Sequence, residues 1–173
     1  MTYAEMSSDV LLFAEALNPS SRILDLGCGN GMDLAWLSNA GHRGVGVDSS
    51  VDAVMIARGI HAKSGIEILE KNFLFLTTKE ADFDGVWANL SFQYLAPEEL
   101  QRLLAICFKG VKVGGVLGAI VYEGQGKADL LHLYSEKQLC SMFEQTGFQV
   151  KKIGRKQEAH DRYPKIFILA ERV

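Results

Sequence analysis

The sequence predicts an α/β domain, an open and mostly parallel sheet with helices on both faces. Three observations lead there. Short apolar runs alternate with helical periodicities along the chain. The first strand-to-helix junction is a glycine-rich turn, Gly27-Cys28-Gly29-Asn30-Gly31. The next strand ends on an acid, Asp48, and in doubly wound sheets ligands bind at such carboxyl ends.

The elements follow in order. Residues 8–17 place Leu12, Phe13, Ala16 and Leu17 on one side of a helix, which Asn18-Pro19-Ser20-Ser21 breaks. Residues 22–26 form an apolar run running into glycines, as a buried parallel strand would. A helix is expected over 32–40, with Gly41 as the residue after its end, and a second strand over 44–48. Ser49 or Ser50 caps a helix reaching about Ser64, with Val51, Val54, Met55 and Arg58 in phase. Strands three and four fall at 67–69 and 84–88. Pro97 suits a first helical turn, and Leu100, Leu103, Leu104 and Cys107 continue at helical spacing. Residues 116–122 form the fifth strand, entered through Gly114-Gly115. Ser135 caps a further helix, with Gln138 as its capping-box partner, and the helix ends at Thr146-Gly147. Two closing strands, 148–153 and 165–169, flank a polar loop at 154–163.

Composition narrows the function. The 173 residues suit one domain of ordinary size, and 48% hydrophobic with 23% charged residues describe a globular protein. The formal charge of −3 gives no hint of the basic face that duplex nucleic acid requires, so no nucleic-acid partner is expected. Three cysteines, at 28, 107 and 140, make neither a disulfide framework nor a zinc site, and no metal is expected. The opening MTYAEMSSDV is no signal peptide, and no apolar run approaches the roughly 20 residues of a membrane span. A cytoplasmic protein without a membrane partner is expected.

The chemistry concentrates at 25–48. Glycines let a backbone take positive φ and let a ligand approach the main chain. Asp48 stands 17 residues after Gly31, where a carboxylate can accept both hydroxyls of a ribose. Turn and acid together predict a nucleoside-bearing ligand. The dinucleotide fingerprint G-x-G-x-x-G is not met, because the third glycine comes one residue early, which disfavours a nicotinamide oxidoreductase.

The stretch Ile23 to Gly31 (ILDLGCGNG) resembles the first motif of the class I S-adenosylmethionine-dependent methyltransferases. Gly46-Val47-Asp48-Ser49-Ser50 resembles the motif that follows it. Phe83-Asp84-Gly85-Val86-Trp87-Ala88 looks like that family's fourth strand. Residues 111–117 look like the entry to its fifth, with Val113 in the usual proline place. Gly147-Phe148-Gln149-Val150 looks like its sixth. Small bacterial members related to tellurite-resistance-type methyltransferases share the wording most closely. The resemblance covers about residues 20–173. It implies a Rossmann-like, seven-stranded mixed sheet in the order 3-2-1-4-5-7-6, with strand seven antiparallel. It also implies a single methyltransferase domain over 1–173. Residues 1–20 would be a helical cover over the cofactor, 21–122 the cofactor-binding core, and 123–173 the substrate-side helix and closing strands.

The resemblance also assigns roles. S-adenosyl-L-methionine is the implied cofactor and S-adenosyl-L-homocysteine its product. Gly27, Cys28 and Gly29 would lie against the methionine part, Gly31 would belong to the same cofactor-binding turn, and Asp25 would fix the loop and reach the ammonium. Asp48, with Ser49 beside it, would hold the ribose. Asn72 and Phe73 stand where an acid often meets adenine, and an amide oxygen can accept the same hydrogen bond. Asn89 and Leu90 would face the methyl donor through backbone carbonyls. On the acceptor side Tyr94, His132 and Tyr134 are the candidate catalytic residues, with Glu123 behind them. Asp129 to His132 departs from the Arg and aromatic residues of relatives.

Bland roles are expected elsewhere. Cys28 reads as a small residue beside the ligand, His42, His61 and His160 as surface residues, and Lys151, Lys152, Arg155 and Lys156 as a solvated strand edge. The leading expectation is methyl transfer to an O, N or S nucleophile of a small-molecule acceptor by a monomer or homodimer. The alternative is a non-catalytic S-adenosylmethionine-binding module or partner subunit.

Overall fold

The computed structural model describes residues 8–62, 66–77 and 82–173. Seven strands form one sheet: β1 (Arg22–Leu26), β2 (Arg43–Asp48), β3 (Glu67–Glu70), β4 (Phe83–Asn89), β5 (Val111–Tyr122), β8 (Phe148–Lys156) and β9 (Lys165–Arg172). Their order is β3-β2-β1-β4-β5-β9-β8, which is the expected order once only the sheet strands are numbered. β1 to β5 run parallel, and β9 is antiparallel to both neighbours.

Alternation along β1 and β4 explains the two layers. Leu24, Leu26, Val86 and Ala88 face one apolar core together with helices α4 (Pro97–Gly110) and α5 (Glu136–Thr146). Ile23 and Trp87 face the other, with α1 (Ser8–Glu15) and α2 (Met32–Asn39). α3 (Val51–Ile60) extends that second layer over β2 and β3 through Val54 and Ala57. Each fully buried leucine or isoleucine contributes about 1.5–3 kcal/mol relative to exposure, so a strand apolar on both faces belongs at the sheet's centre.

Local signals place the ends of the helices. Ser50 caps α3 through Oγ, which accepts from Ala53 N at 3.3 Å, and Ser49 is exposed. α3 stops at Ile60, short of the expected end near Ser64, and residues 63–65 lie outside the described ones. Ser135 Oγ accepts from Gln138 N at 3.2 Å, and Gly147 closes α5 in the left-handed region, both as expected. Gly41, with φ +96°, follows α2 as the sequence predicts.

Three features differ from the expectation. β5 begins at Val111, directly after α4, because Phe83 pairs with Val111 ahead of an irregularity in the β4–β5 ladder. A short ribbon, β6 (Gly126–Ala128) with β7 (Leu131–Leu133), follows β5, and its three-residue strands are too short to show a periodicity. α1 packs in the middle of the sheet rather than over the ligand crevice. Phe13 stacks on Trp87 with ring centroids 5.0 Å apart, where Gly85 and Gly118 leave room for its ring. The first seven residues of the expected helical cover lie outside the described ones.

Candidate active site

The turn after β1 is tied to β2 by its own backbone. Gly27 N and Cys28 N both donate to Val47 O, at 2.8 and 3.1 Å, and Gly31 N donates to Cys28 O at 2.8 Å. Gly27, Gly29 and Gly31 all have positive φ. Gly27 illustrates why glycine is required. At φ +70° a Cβ would lie 2.6 Å from Ser91 Cβ, so the turn can close onto the end of β4 only without a side chain.

Asp48 completes the turn. One carboxylate oxygen accepts from Gly29 N at 2.9 Å and the other from Ser50 N at 2.8 Å. Each oxygen keeps a free lone pair, so hydroxyl donors can still be received. This is a correction to the expectation for Asp25. Fixing the loop falls to Asp48 and the backbone, and no described donor reaches the Asp25 carboxylate.

Asp25 is 2% exposed and lines a cavity of about 390 Å³ with Gly27, Cys28, Gly29, Asn30 and Asn89. Burial, followed by the nearby charges of Asp33 and Asp48, pushes its pKa well above the usual carboxylate range. A buried carboxylate without a donor is costly unless something positive meets it. Cys28 shares the crevice. Burial, with Asp25 and Asp48 close by, holds its thiol up at about 12, so it is an inert small residue rather than a nucleophile.

Asp33 is a site residue that the sequence reading missed. It sits in the first turn of α2 and lines the same cavity. Its Oδ2 accepts from Trp87 Nε1 and from Asn89 Nδ2, each at 2.8 Å. An acid in the first turn after a ligand-binding glycine loop was a usable signal, since a helix N-terminus stabilises a carboxylate.

His61 is corrected too. It is 8% exposed rather than on the surface, and its Nε2 stands 3.0 Å from Asn30 O as a strut behind the turn. Asn72 Oδ1 accepts from Leu74 N at 2.9 Å and caps the 3-10 turn Phe73–Phe75, leaving one lone pair for a ligand. The Phe73 ring reaches 3.5 Å from the place a Gly27 Cβ would take, which brings that turn against the glycine loop.

The segment after β4 is unusual. Leu90 has φ +51°, a strained region for a residue with a side chain. Its N–H donates to Ile120 O at 2.9 Å, and its carbonyl accepts from Gln93 Nε2 at 2.5 Å. Gln93 Oε1 and Ser91 Oγ are buried without a partner among the described residues. Asn89 lines the cavity, whereas the Leu90 carbonyl is turned to Gln93.

The three residues picked for catalysis are not brought together around the cavity. Tyr94 is 63% exposed. Tyr134 is fully buried, and its hydroxyl donates to Leu95 O at 2.6 Å. Burial raises its pKa, with Glu98 and Glu99 adding to the shift, and its bond to Leu95 ties the chain just after β7 to the segment after β4. His132 sits in β7 opposite Lys127. Glu123 forms an ion pair with Arg155. The reason is the short turn Phe92–Tyr94, which buries Phe92 and Gln93 and turns Tyr94 outward.

The residues around the cavity fit a small cationic nucleoside derivative. The glycine turn has no space for a side chain at Gly27, no donor among the described residues reaches Asp25, and Asp48 has free lone pairs. Comparison with known proteins agrees. Residues 23–115 match the model of a family described as methyltransferase domain. The chain is 23% identical over 151 residues to an uncharacterized methyltransferase of Synechocystis sp., covering 78% of this chain and 70% of that one. It is 30% identical over 145 residues to a carboxy-S-adenosyl-L-methionine synthase of Campylobacter jejuni, covering 77% of this chain, and it spans 60% of that relative's length. The fold matches the crystal structure of Burkholderia thailandensis 1,6-didemethyltoxoflavin-N1-methyltransferase with bound S-adenosylhomocysteine. The TM-score is 0.84 at 19% identity, over 95% of this chain and 76% of that one. The glycine turn, the acid closing β2, the sheet order and the family match agree: the chain belongs to the class I S-adenosylmethionine-dependent methyltransferases.

Proposed function

We propose that this chain transfers the methyl group of S-adenosylmethionine to an O, N or S nucleophile of a small-molecule acceptor. The observation that carries the reading is the buried Asp25 carboxylate, without a donor among the described residues, in a cavity walled by the glycine turn. When bound, the cofactor supplies an electrophilic methyl on a positively charged sulfur. The protein's part is then to hold and orient, since in-line displacement can be accelerated by positioning alone.

In this reading Asp25 receives the ammonium, and Gly27, Cys28, Gly29 and Asn89 line the methionine part. Asp48 accepts from the ribose hydroxyls while holding Gly29 and Ser50, with Gly31 and Ser49 at the edges of that grip. Asn72 and Phe73 border the adenine, Asn72 through its remaining lone pair. Leu90 positions the turn that faces the acceptor. Acceptors with an N–H nucleophile come first for screening, because the toxoflavin methyltransferase of similar fold is an N-methyltransferase by name.

The 30% identity to the Campylobacter protein favours a second reading, synthesis of a carboxylated donor. The charges of the site oppose it. Asp25 and Asp33 line the cavity and Asp48 adjoins it, so an added carboxylate would meet like charge. One assay separates these readings from a non-catalytic module. The purified chain is titrated with S-adenosylmethionine and S-adenosylhomocysteine, then incubated with the donor and a panel of acceptors while homocysteine-product release is followed. Binding of the donor with methylated product supports the proposal. Binding without product from any acceptor supports the module, and absence of binding overturns the cofactor assignment.

A further inference from the structure

Asp33 has an arrangement that its neighbours do not require. A buried indole N–H and one amide would be satisfied by any acceptor. A neutral asparagine at 33 could still accept from Trp87 Nε1 and Asn89 Nδ2, through weaker bonds than the charge-assisted ones of the carboxylate. The carboxylate instead adds a negative charge to a cavity that already holds Asp25, which is 2% exposed and has no described donor. A second acid beside a buried carboxylate makes that carboxylate harder to ionise, so the two together suit a place that receives positive charge.

We infer that Asp33 is a specificity-determining residue for the charge of the cofactor, favouring the sulfonium donor over its neutral thioether product. The inference rests on the proposed donor site. Donor and product share the adenosine, the ammonium and the carboxylate, and differ by one methyl and one positive charge. A carboxylate that meets that charge in a partly buried site distinguishes the two, while hydrogen bonds to the shared parts do not. Asp33 therefore gives up affinity for the product once the charge has gone, and the crevice clears itself for the next donor. The same carboxylate, through Asn89, links donor charge to the end of β4.

The test is calorimetric binding, with no turnover required. Asp33→Asn keeps an acceptor for Trp87 and Asn89 and removes only the charge. The expected result is a loss of about tenfold in affinity for S-adenosylmethionine, and less than about threefold for S-adenosylhomocysteine. An analogue with an ammonium group in place of the methyl sulfonium should follow the donor. Equal losses for donor and product, or no loss for either, would overturn the inference. Asn89→Ala keeps the charge and removes one hydrogen bond to it. It should retain the parent's preference, and loss of the preference in Asn89→Ala would assign selectivity to the tie and overturn the charge role. Asn89→Ala also keeps the question open to measurement if Asp33→Asn does not fold. A parent chain that binds neither ligand refutes the donor site itself. A parent that binds both while Asp33→Asn behaves like it refutes this inference alone.

Discussion

The two sides of the crevice are built differently. The proposed donor side, residues 25–48, is built largely of backbone. Positive-φ glycines, amide bonds to Val47 and an acid at the end of β2 leave little to side-chain choice. The proposed acceptor side, residues 89–95 with β7 behind them, is made of side chains in irregular backbone. Leu90 is strained, Gln93 holds its carbonyl, Ser91 and Gln93 keep unused polar atoms, and Tyr134 ties the turn from behind. A site for a fixed cofactor can be written in local geometry, whereas a site for a variable acceptor is written in contacts between distant segments.

The largest effect expected from breaking this contrast is at Gly27. Gly27→Ala combines left-handed strain with a clash against Ser91 Cβ, and should cost about 3 kcal/mol of stability and abolish donor binding. Thermal unfolding and calorimetry would show both. Asp48→Ala comes next, with donor affinity falling by about 1–3 kcal/mol from the lost charge-assisted bonds. Parent-level affinity in the folded variant would remove Asp48 from the site. Tyr134→Phe should cost about 1 kcal/mol of stability through the lost bond to Leu95 O, with the transfer rate unchanged. A collapse of rate with stability intact would instead return Tyr134 to catalysis.

The smallest and most diagnostic effect concerns pH. The folded pKa of Asp25 lies above its unfolded value, so ionising it is harder in the fold. Its destabilisation is absent below the unfolded pKa, grows as pH rises from the unfolded pKa towards the folded one, and is complete above the folded pKa. Asp25→Asn should therefore raise the melting temperature of the ligand-free protein at neutral pH, with the gain vanishing in acid, while weakening donor binding. A variant less stable than its parent at neutral pH would contradict an unpaired buried charge.

Much of this was legible in the residues. Apolar runs marked the strands, Ser50 and Ser135 marked caps, and the glycines and Asp48 marked the turn that closes at the carboxyl ends of β1 and β2, because these signals act within a few residues. Others were not. Nothing local distinguishes Gln93, which is buried, from Tyr94, which is exposed, because the handedness of a three-residue turn decides which side chain faces inward. Tyr134 read as a candidate acid or base because its partner, Leu95, is far away in sequence. His61 carries no local mark of its burial, because the glycine turn it braces lies in a distant stretch of the chain.

The sequence by itself determined the alternation of strands and helices, the chain reversal at the glycines and the acid at the tip of β2. Periodicity, capping and positive φ are properties of neighbouring residues. Tertiary structure alone decided that Asp33 would join Trp87 and Asn89, that Asp25 would be buried with no donor among the described residues, and that Tyr134 would be a tie. Each of these depends on which groups meet across the sheet after water is excluded. Burial, which turns an ordinary carboxylate into a demanding one, is a property of the whole fold.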